Sequence, residues 1–209
     1  MSSSTFITRL TKASGRHKLG TIMKEDLFEI LKDRKVIKEG HFLLTSGLHS
    51  DLYFEKFRIL EDPQFLEELI TPKIADLKQL NPEAVVGPTT GGALLAFSIA
   101  RLLGIKAFFA EKNKEGERVF KRGFSLREKG RVLVVDDVLT TGGSIRATLK
   151  AVKAKNWTPV GIFVLIDRNG ELDFGLPLFS LLLFKANQWR PEDCPLCKEN
   201  ISIEKPGGG

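Results

Sequence analysis

Short, uninterrupted runs of apolar residues recur along the chain, separated by longer segments of mixed polarity. Apolar runs without alternation are typical of strands that are buried on both faces of a sheet. The predicted strands of this kind are 84–87, 106–112, 131–137, 159–168 and 176–184.

Between these runs, apolar residues recur at the spacing of one face of a helix. The predicted helices are 24–37, 63–80, 93–104 and 143–156, and we expect Pro72 to kink or split the second. Strands that alternate with helices predict an α/β fold with a central, mainly parallel sheet flanked by helices.

The length of 209 residues suits one domain with a full core. The apolar runs are too short for a membrane span or contain a charge, so we expect a soluble, cytoplasmic protein without a membrane partner. The formal charge of +6 suits an anionic ligand. Because the basic residues are spread along the chain, we expect small phosphorylated ligands and no nucleic acid.

Residues 1–22 are rich in Ser and Thr and contain no acidic residue. We expect a disordered tail, or sequence upstream of a true start at Met23; an organelle transit peptide, which has a similar composition, is the alternative. We place the folded domain at 23–190 and a C-terminal tail at 191–209.

The stretch 132–144, VLVVDDVLTTGGS, ends a predicted strand on Asp136 and Asp137 and then leads through a Gly-rich turn into a helix. Such a turn binds phosphate, because hydroxyl groups and the N–H groups at the helix start are available to the ligand. The two carboxylates would accept hydrogen bonds from the hydroxyls of a ribose that carries the phosphate. The residues of this phosphate turn are Thr140, Thr141, Gly142, Gly143 and Ser144.

This stretch closely resembles the phosphoribosyl-diphosphate (PRPP) signature of the type I phosphoribosyltransferases. The resemblance implies the fold of that family, with a small hood subdomain, here mainly from 23–60 and the C-terminal part. It implies that Asp136 and Asp137 bind the ribose of PRPP, and that Val138, Leu139 and the phosphate turn contact the remainder of its phosphoribosyl group. It also implies Mg²⁺ as cofactor, held largely by PRPP itself.

Three further stretches resemble orotate phosphoribosyltransferases: 42–54 (FLLTSGLHSDLYF), 85–96 (VVGPTTGGALLA) and 165–170 (LIDRNG). The second resembles the diphosphate-binding turn of that family, another strand, Gly-rich turn and helix. The diphosphate contacts that it implies are Thr89, Thr90, Gly91 and Gly92.

The other two stretches imply contacts with the base. The residues implied are Ser46, Gly47, Thr140 and Arg168, with the ring of Tyr53 or Phe54 near the flat base. A guanidinium at Arg168 that pairs with the orotate carboxylate would select this base over uracil.

Segment 111–124 departs from the mobile catalytic loop of the family, because it lacks the Lys-rich run that ends in His-Gly. It reads as an ordered, charged hairpin, yet it is the candidate for closing over the site and neutralising the diphosphate. Thr45 also stands where familiar members have Lys. The implied catalytic residues are Lys112, Lys114, Arg118 and Asp137, with Lys121 and Arg122 as further basic residues of the segment.

Cys194 and Cys197 have C-x-x-C spacing near the C-terminus. They would form half of a tetrahedral zinc site, a redox pair, or a local turn with two small apolar side chains, which we favour. His17, His41 and His49 are remote in sequence, so we expect that zinc would need a second subunit or another ligand.

The resemblance as a whole implies a homodimeric enzyme of pyrimidine synthesis that uses PRPP and orotate. A purine-type phosphoribosyltransferase with the same PRPP turn is one alternative, although 42–54 and Arg168 argue against it. A PRPP-sensing regulator on the same fold is another, and residues 1–22 are too short to supply its nucleic-acid reader domain.

Overall fold

The computed structural model describes residues 8–11, 18–21, 24–44 and 46–206. The chain forms two compact units, one of Met1–Ile59 with Lys185–Gly209 and the other of Leu60–Phe184. Within the described ranges, no helix is both long and apolar enough to cross a membrane.

The elements in chain order are β1 (Thr8–Thr11), β2 (Lys18–Thr21), α1 (Lys24–Asp33), β3 (Ile37–Leu43), β4 (His49–Phe54), α2 (Phe57–Leu60), α3 (Pro63–Ile70), α4 (Ile74–Gln79), β5 (Ala84–Pro88), α5 (Gly91–Leu103), β6 (Lys106–Lys112), β7 (Arg118–Val119), β8 (Arg131–Leu139), α6 (Gly143–Ala154), β9 (Thr158–Asp167), β10 (Leu178–Leu183), β11 (Gln188–Trp189) and α7 (Pro195–Lys198). Two 3₁₀ turns, Thr71–Lys73 and Pro191–Asp193, complete the set.

The larger unit is built on a six-stranded sheet with the order β10-β9-β8-β5-β6-β7. Neighbouring strands are parallel except β6 and β7, which pair antiparallel. The chain passes from β5 through α5 to β6 on one side, and from β8 through α6 to β9 on the other. The boundary between β5 and β8 is therefore the switch point of the sheet, where open α/β sheets bind ligands.

The central strands are the core of this unit. The side chains of Val132 to Val135 on β8 and of Val86 on β5 are completely buried. Helix α5 packs on β5, β6 and β8, and α6 packs on β8 and β9. This architecture confirms the predicted α/β fold with a mainly parallel sheet flanked by helices.

The predicted helix 63–80 is split, as Pro72 led us to expect. Helix α3 ends at Ile70 and α4 begins at Ile74, with one 3₁₀ turn between them. Proline has no N–H group to donate and disfavours a helical residue before it, so the helix cannot run through unbroken.

The smaller unit contains a three-stranded antiparallel sheet with the order β11-β4-β3. Segment 191–209, which we set apart as a tail, is hydrogen-bonded to this sheet. The N–H of Glu204 donates to the carbonyl of His41 at 2.7 Å, and the N–H of Leu43 donates to the carbonyl of Glu204 at 2.8 Å. These bonds fasten the C-terminal segment to β3.

An antiparallel strand pair, β1 with β2, lies within segment 1–22, where composition suggested a disordered tail. The two strands contain Thr8, Thr11 and Thr21, and β-branched residues favour extended backbone. The other residues of that segment lie outside the described ones.

Candidate active site

Two strand-turn-helix units meet at the switch point of the large sheet. Strands β5 and β8 are parallel neighbours, with Ala84 opposite Val132 and Val86 opposite Val134. Strand β5 leads into α5 and β8 leads into α6, so both Gly-rich turns lie at the carboxyl edge of the sheet. The sequence motifs for the PRPP turn and the diphosphate turn therefore come from adjacent strands.

The carboxylates of Asp136 and Asp137 lie against the first turn of α5. A Cβ atom on Gly91 would be 1.8 Å from Oδ2 of Asp137, and one on Gly92 would be 3.2 Å from Oδ1 of Asp136. Only glycine fits at position 91, because any side chain there would overlap the carboxylate.

Both aspartates are held firmly at the end of β8. Each is 6% exposed. Oδ1 of Asp136 accepts the N–H of Asp137 at 2.9 Å, and Oδ1 of Asp137 accepts the N–H of Val138 at 2.7 Å. These hydrogen bonds fix two acceptor groups beside the turn that leads into α6.

The turn from β8 to α6 is open to solvent and shaped to receive an anion. Gly142 has a φ of +77°, and a Cβ there would also lie 2.9 Å from the ring of Phe174. The N–H of Arg146 makes a helical bond to the carbonyl of Gly142 at 2.9 Å, and helical N–H groups before such a bond lack an acceptor within the helix. The exposed residues here are Thr140, Thr141, Gly143 and Ser144, which follow the half-buried Val138 and the buried Leu139.

The turn from β5 to α5 lies on the same edge, and Arg118 contacts it. The peptide bond between Thr89 and Thr90 is cis. The N–H of Thr89 donates to the carbonyl of Ala110 at 3.0 Å. Nη1 of Arg118 lies 3.0 Å from Oγ1 of Thr89 and 3.3 Å from the same carbonyl. Arg118 therefore places its positive charge against the predicted diphosphate turn.

The other basic residues of segment 111–124 are differently placed. Arg122 donates two hydrogen bonds of 3.0 Å to Glu111, which lower the pKa of that carboxyl. Lys121 donates to the carbonyl of Lys112. The side chains of Lys112 and Lys114 are exposed. Among the predicted catalytic cations, Arg118 is thus the one that the described hydrogen bonds link to the diphosphate turn.

Aromatic packing anchors this segment on the sheet. The ring of Phe120 lies 4.9 Å from that of Trp157, and the ring of Phe124 lies 5.0 Å from that of Phe108. Strands β6 and β7 pair with Lys112 opposite Arg118. The segment is therefore an ordered hairpin, as its sequence suggested. Both its strands and its two phenylalanines are packed on the sheet in this structure.

Arg168 lies at the end of β9, beside the phosphate turn. Its N–H donates to the carbonyl of Leu139 at 2.8 Å. Oδ1 of Asp167 accepts the N–H groups of Asn169 and Gly170 at 2.8 and 2.9 Å, which shapes the turn that follows. The main chain of the half-buried Arg168 is thus bonded to Leu139, the residue that precedes Thr140.

Ser46 and Gly47 belong to the smaller unit, in the turn between β3 and β4. The N–H of Gly47 donates to the carbonyl of Leu44 at 2.9 Å, and both predicted residues are exposed. Tyr53 packs on Phe42 with ring centres 5.7 Å apart, and Phe54 is buried. Thr45 lies outside the described residues.

The smaller unit also brings together residues that appeared remote in sequence. The ligand atoms of His41, His49, Cys194 and Cys197 all lie within 4.8 Å of one another. We expected that zinc would need a second subunit or another ligand. The β3–β4 hairpin supplies two such ligand groups, so that four come from one chain. His41 and His49 are remote from the cysteines in sequence, and strand pairing together with docking of the C-terminal segment brings the four residues together.

Comparisons with known proteins agree with this geometry. The family model described as "Phosphoribosyl transferase domain" matches residues 59–175. An orotate phosphoribosyltransferase from Carboxydothermus hydrogenoformans is 40% identical over 185 residues, which are 87% of this chain and 96% of that protein. The match extends well beyond the PRPP motif into both units.

Solved structures show the same relationship. The orotate phosphoribosyltransferase from Aeropyrum pernix has a TM-score of 0.62 at 30% identity, covering 74% of this chain and 92% of that one. An adenine phosphoribosyltransferase from Thermoanaerobacter pseudethanolicus has a TM-score of 0.55 at 23% identity, covering 64% and 88%, and shows the shared fold alone. The chain belongs to the phosphoribosyl transferase family and, within it, to the orotate phosphoribosyltransferases.

Proposed function

We propose that this protein transfers the phosphoribosyl group of PRPP to orotate, giving orotidine 5′-monophosphate and diphosphate. The observation that carries the proposal is the approach of Asp137 to Gly91, because it joins the phosphate turn, the acidic pair and the diphosphate turn along one edge of the sheet. PRPP has a phosphate at one end of its ribose and a diphosphate at the other. The phosphate, ribose and diphosphate of PRPP therefore occur in the same order as the phosphate turn, the acidic pair and the diphosphate turn.

Each part of PRPP has a suitable partner. The 5′-phosphate binds at Thr140–Ser144, where hydroxyls and helix N–H groups are available. The ribose hydroxyls donate to Asp136 and Asp137. These two residues lie between the turn for the 5′-phosphate and the turn for the diphosphate. The diphosphate binds at Thr89–Gly92, with Arg118 beside it.

Mg²⁺ is the cofactor that we propose. The carboxylates of Asp136 and Asp137 are hard oxygen ligands of the kind that Mg²⁺ prefers, and they lie beside the diphosphate turn. Mg²⁺ is usually bound through one or two carboxylates together with substrate phosphates and water, so these two residues would hold it jointly with PRPP. When bound, it supplies positive charge to the diphosphate.

On the base side, we propose Arg168 as the partner of the orotate carboxylate. A guanidinium forms two parallel hydrogen bonds with a carboxylate, which a base without that group cannot accept. Thr140 lies next to Leu139, whose carbonyl holds the main chain of Arg168. Ser46 and Gly47 of the β3–β4 turn stay in this proposal as residues that the resemblance to the family implies for base binding.

The chemical step is a displacement at C1 of the ribose. A ring nitrogen of orotate gives its proton to solvent and bonds to C1. The bond from C1 to the diphosphate oxygen breaks at the same time, and the diphosphate leaves with the electron pair. The chain needs no covalent nucleophile for this reaction. Its residues hold both substrates in line, neutralise the leaving group through Arg118, and fix the ribose through the two aspartates.

We also propose that the protein works as a homodimer, as the resemblance to its family implies. Light scattering at micromolar concentration tests this assembly. A molecular mass of one chain across the concentrations used in the assay would contradict it.

The proposed activity is tested by incubating the protein with PRPP, Mg²⁺ and one base at a time, and measuring diphosphate release. The bases are orotate, uracil, adenine and hypoxanthine. We expect turnover with orotate alone, and none after Mg²⁺ is removed with a chelator. Turnover only with a purine would refute the orotate assignment, and PRPP binding without turnover on any base would favour a PRPP sensor.

A further inference from the structure

A compact cluster of two imidazoles and two thiols lies in the smaller unit, in residues that the proposed transferase chemistry does not use. His41 is on β3, His49 begins β4, and Cys194 and Cys197 flank the start of α7. His41, His49 and Cys194 are 2%, 7% and 0% exposed. Buried groups of this polarity require partners, so the cluster calls for an explanation beyond packing.

Three of the four described distances in the cluster lie in the range of a tetrahedral metal site, and the fourth is shorter. Zinc binds sulfur at about 2.3 Å and nitrogen at about 2.0–2.1 Å, so the ligand atoms of a tetrahedron lie about 3.3–3.8 Å apart. Nε2 of His41 is 3.4 Å from Sγ of Cys194 and 3.7 Å from Sγ of Cys197. Nδ1 of His49 is 3.3 Å from Sγ of Cys197 and 2.9 Å from Nε2 of His41.

One ring nitrogen of His41 contacts a carbonyl group outside the cluster. Its Nδ1 lies 2.8 Å from the carbonyl oxygen of Ile201, which only accepts hydrogen bonds. In the neutral ring Nδ1 then donates to this carbonyl, and Nε2 offers its lone pair to His49 and both thiols. One lone pair cannot accept from three donors at once, whereas one cation can accept lone pairs from all four groups. A histidine ligand that donates its other N–H to a carbonyl is the usual arrangement at metal sites.

We propose that His41, His49, Cys194 and Cys197 bind one Zn²⁺ ion per chain in a structural site. Two thiolates and two imidazoles this close together select zinc over Mg²⁺ and Ca²⁺, which prefer oxygen ligands. Protein groups fill all four coordination positions, as they do in structural zinc sites. A catalytic zinc ion would instead keep one position for water or substrate. The site is separate from the Mg²⁺ that we propose for the transfer reaction.

The bound ion fastens the C-terminal segment to the β3–β4 hairpin. Trp189 of β11 pairs with His49, and Glu204 bridges to Phe42, so the C-x-x-C turn is the middle of three attachments. Gly47 is only two residues before His49, and the ion therefore also fixes one end of the turn that contains Ser46 and Gly47. Loss of the ion should loosen this turn and the segment that follows β10.

The test uses the full chain without a histidine tag, purified in reductant and without chelator. We expect about one zinc per chain by elemental mass spectrometry, and loss of most of that zinc in Cys197→Ser and in His49→Gln. Lys198→Ala, an exposed change on the same short helix, should keep the full amount. Replacement of zinc by Co²⁺ should give the absorption bands of tetrahedral cobalt with thiolate ligands, and a strong chelator should lower the melting temperature.

Each of the following outcomes would overturn the proposal. Wild-type protein that is folded and reduced but takes up no added Zn²⁺ would leave the cluster as a hydrogen-bonded imidazole and thiol group. One ion per two chains would indicate a site shared between subunits. If the variants fail to fold, a cobalt spectrum of the wild type without thiolate bands is sufficient to refute it. None of these measurements depends on transferase activity.

Discussion

Nη1 of Arg118 lies 3.0 Å from Oγ1 of Thr89, although the two residues belong to different segments of the large unit. Arg118 begins β7, and Thr89 begins the Gly-rich turn after β5. The hairpin of β6 and β7 holds the guanidinium there, because the same Nη1 also lies 3.3 Å from the carbonyl of Ala110. The contact places a permanent positive charge where the proposed diphosphate leaves.

We expect Arg118→Ala to lower kcat at least about a hundredfold, because it removes a donor that stabilises charge developing on the leaving group. Steady-state kinetics with PRPP and orotate measure the effect. The matched change is Arg122→Ala, which removes an exposed arginine already paired with Glu111. An exposed ion pair contributes little to stability, and the described hydrogen bonds of Arg122 go to Glu111, so kcat should stay within about fivefold of the wild-type value. Equal losses in the two variants would contradict the role of Arg118.

Gly91→Ala should weaken PRPP binding without unfolding the protein. The new methyl group would overlap Oδ2 of Asp137, and relief of such overpacking costs about 1–3 kcal/mol. If the carboxylate moves to relieve it, the Kd for PRPP rises roughly ten- to hundredfold, which calorimetry can measure. Leu94→Ala, an exposed change on the same helix, should leave the Kd unchanged. Wild-type affinity in Gly91→Ala would show that the contact with Asp137 does not matter for binding.

Asp137→Asn tests the ribose contact directly. The amide keeps the shape of the side chain but loses the charge, and a hydrogen bond to a charged group contributes about 1.5–3 kcal/mol. The KM for PRPP should therefore rise roughly ten- to hundredfold, while the melting temperature changes little. Asp173→Asn makes the same chemical change at an exposed aspartate and should leave KM unaltered. An unchanged KM in Asp137→Asn would refute the assigned role.

The PRPP turn could be predicted from sequence because its residues are contiguous. Strand, turn and helix in 132–154 each follow from local apolar pattern and glycine placement, and the structure places β8, Gly142 and α6 accordingly. Local physics is sufficient there, since the proposed ligand groups are main-chain N–H groups and neighbouring side chains.

Contacts between distant segments could not be predicted in the same way. The approach of Gly91 to Asp137 depends on β5 lying beside β8, and no local pattern specifies strand order. The link from Arg118 to Thr89 depends on the register of the β6–β7 hairpin, and the pairing of His41 with Cys194 depends on how the C-terminal segment docks. In each case long-range packing determines which side chains come into contact. The sequence pattern shows only that residues of the right type are present.

Arg168→Lys should separate the two substrates kinetically. Lysine keeps the positive charge but cannot form the two parallel hydrogen bonds that a guanidinium makes with a carboxylate. Losing about 1.5–3 kcal/mol of that interaction should raise the KM for orotate roughly ten- to hundredfold and leave the KM for PRPP near its original value. Initial rates measured while each substrate is varied in turn distinguish the two constants. Arg127→Lys, at an exposed arginine paired with Glu83, is the matched control and should alter neither constant. A rise in the KM for PRPP alone would assign Arg168 to the phosphate side of the site, since its main chain is bound to Leu139 next to the phosphate turn.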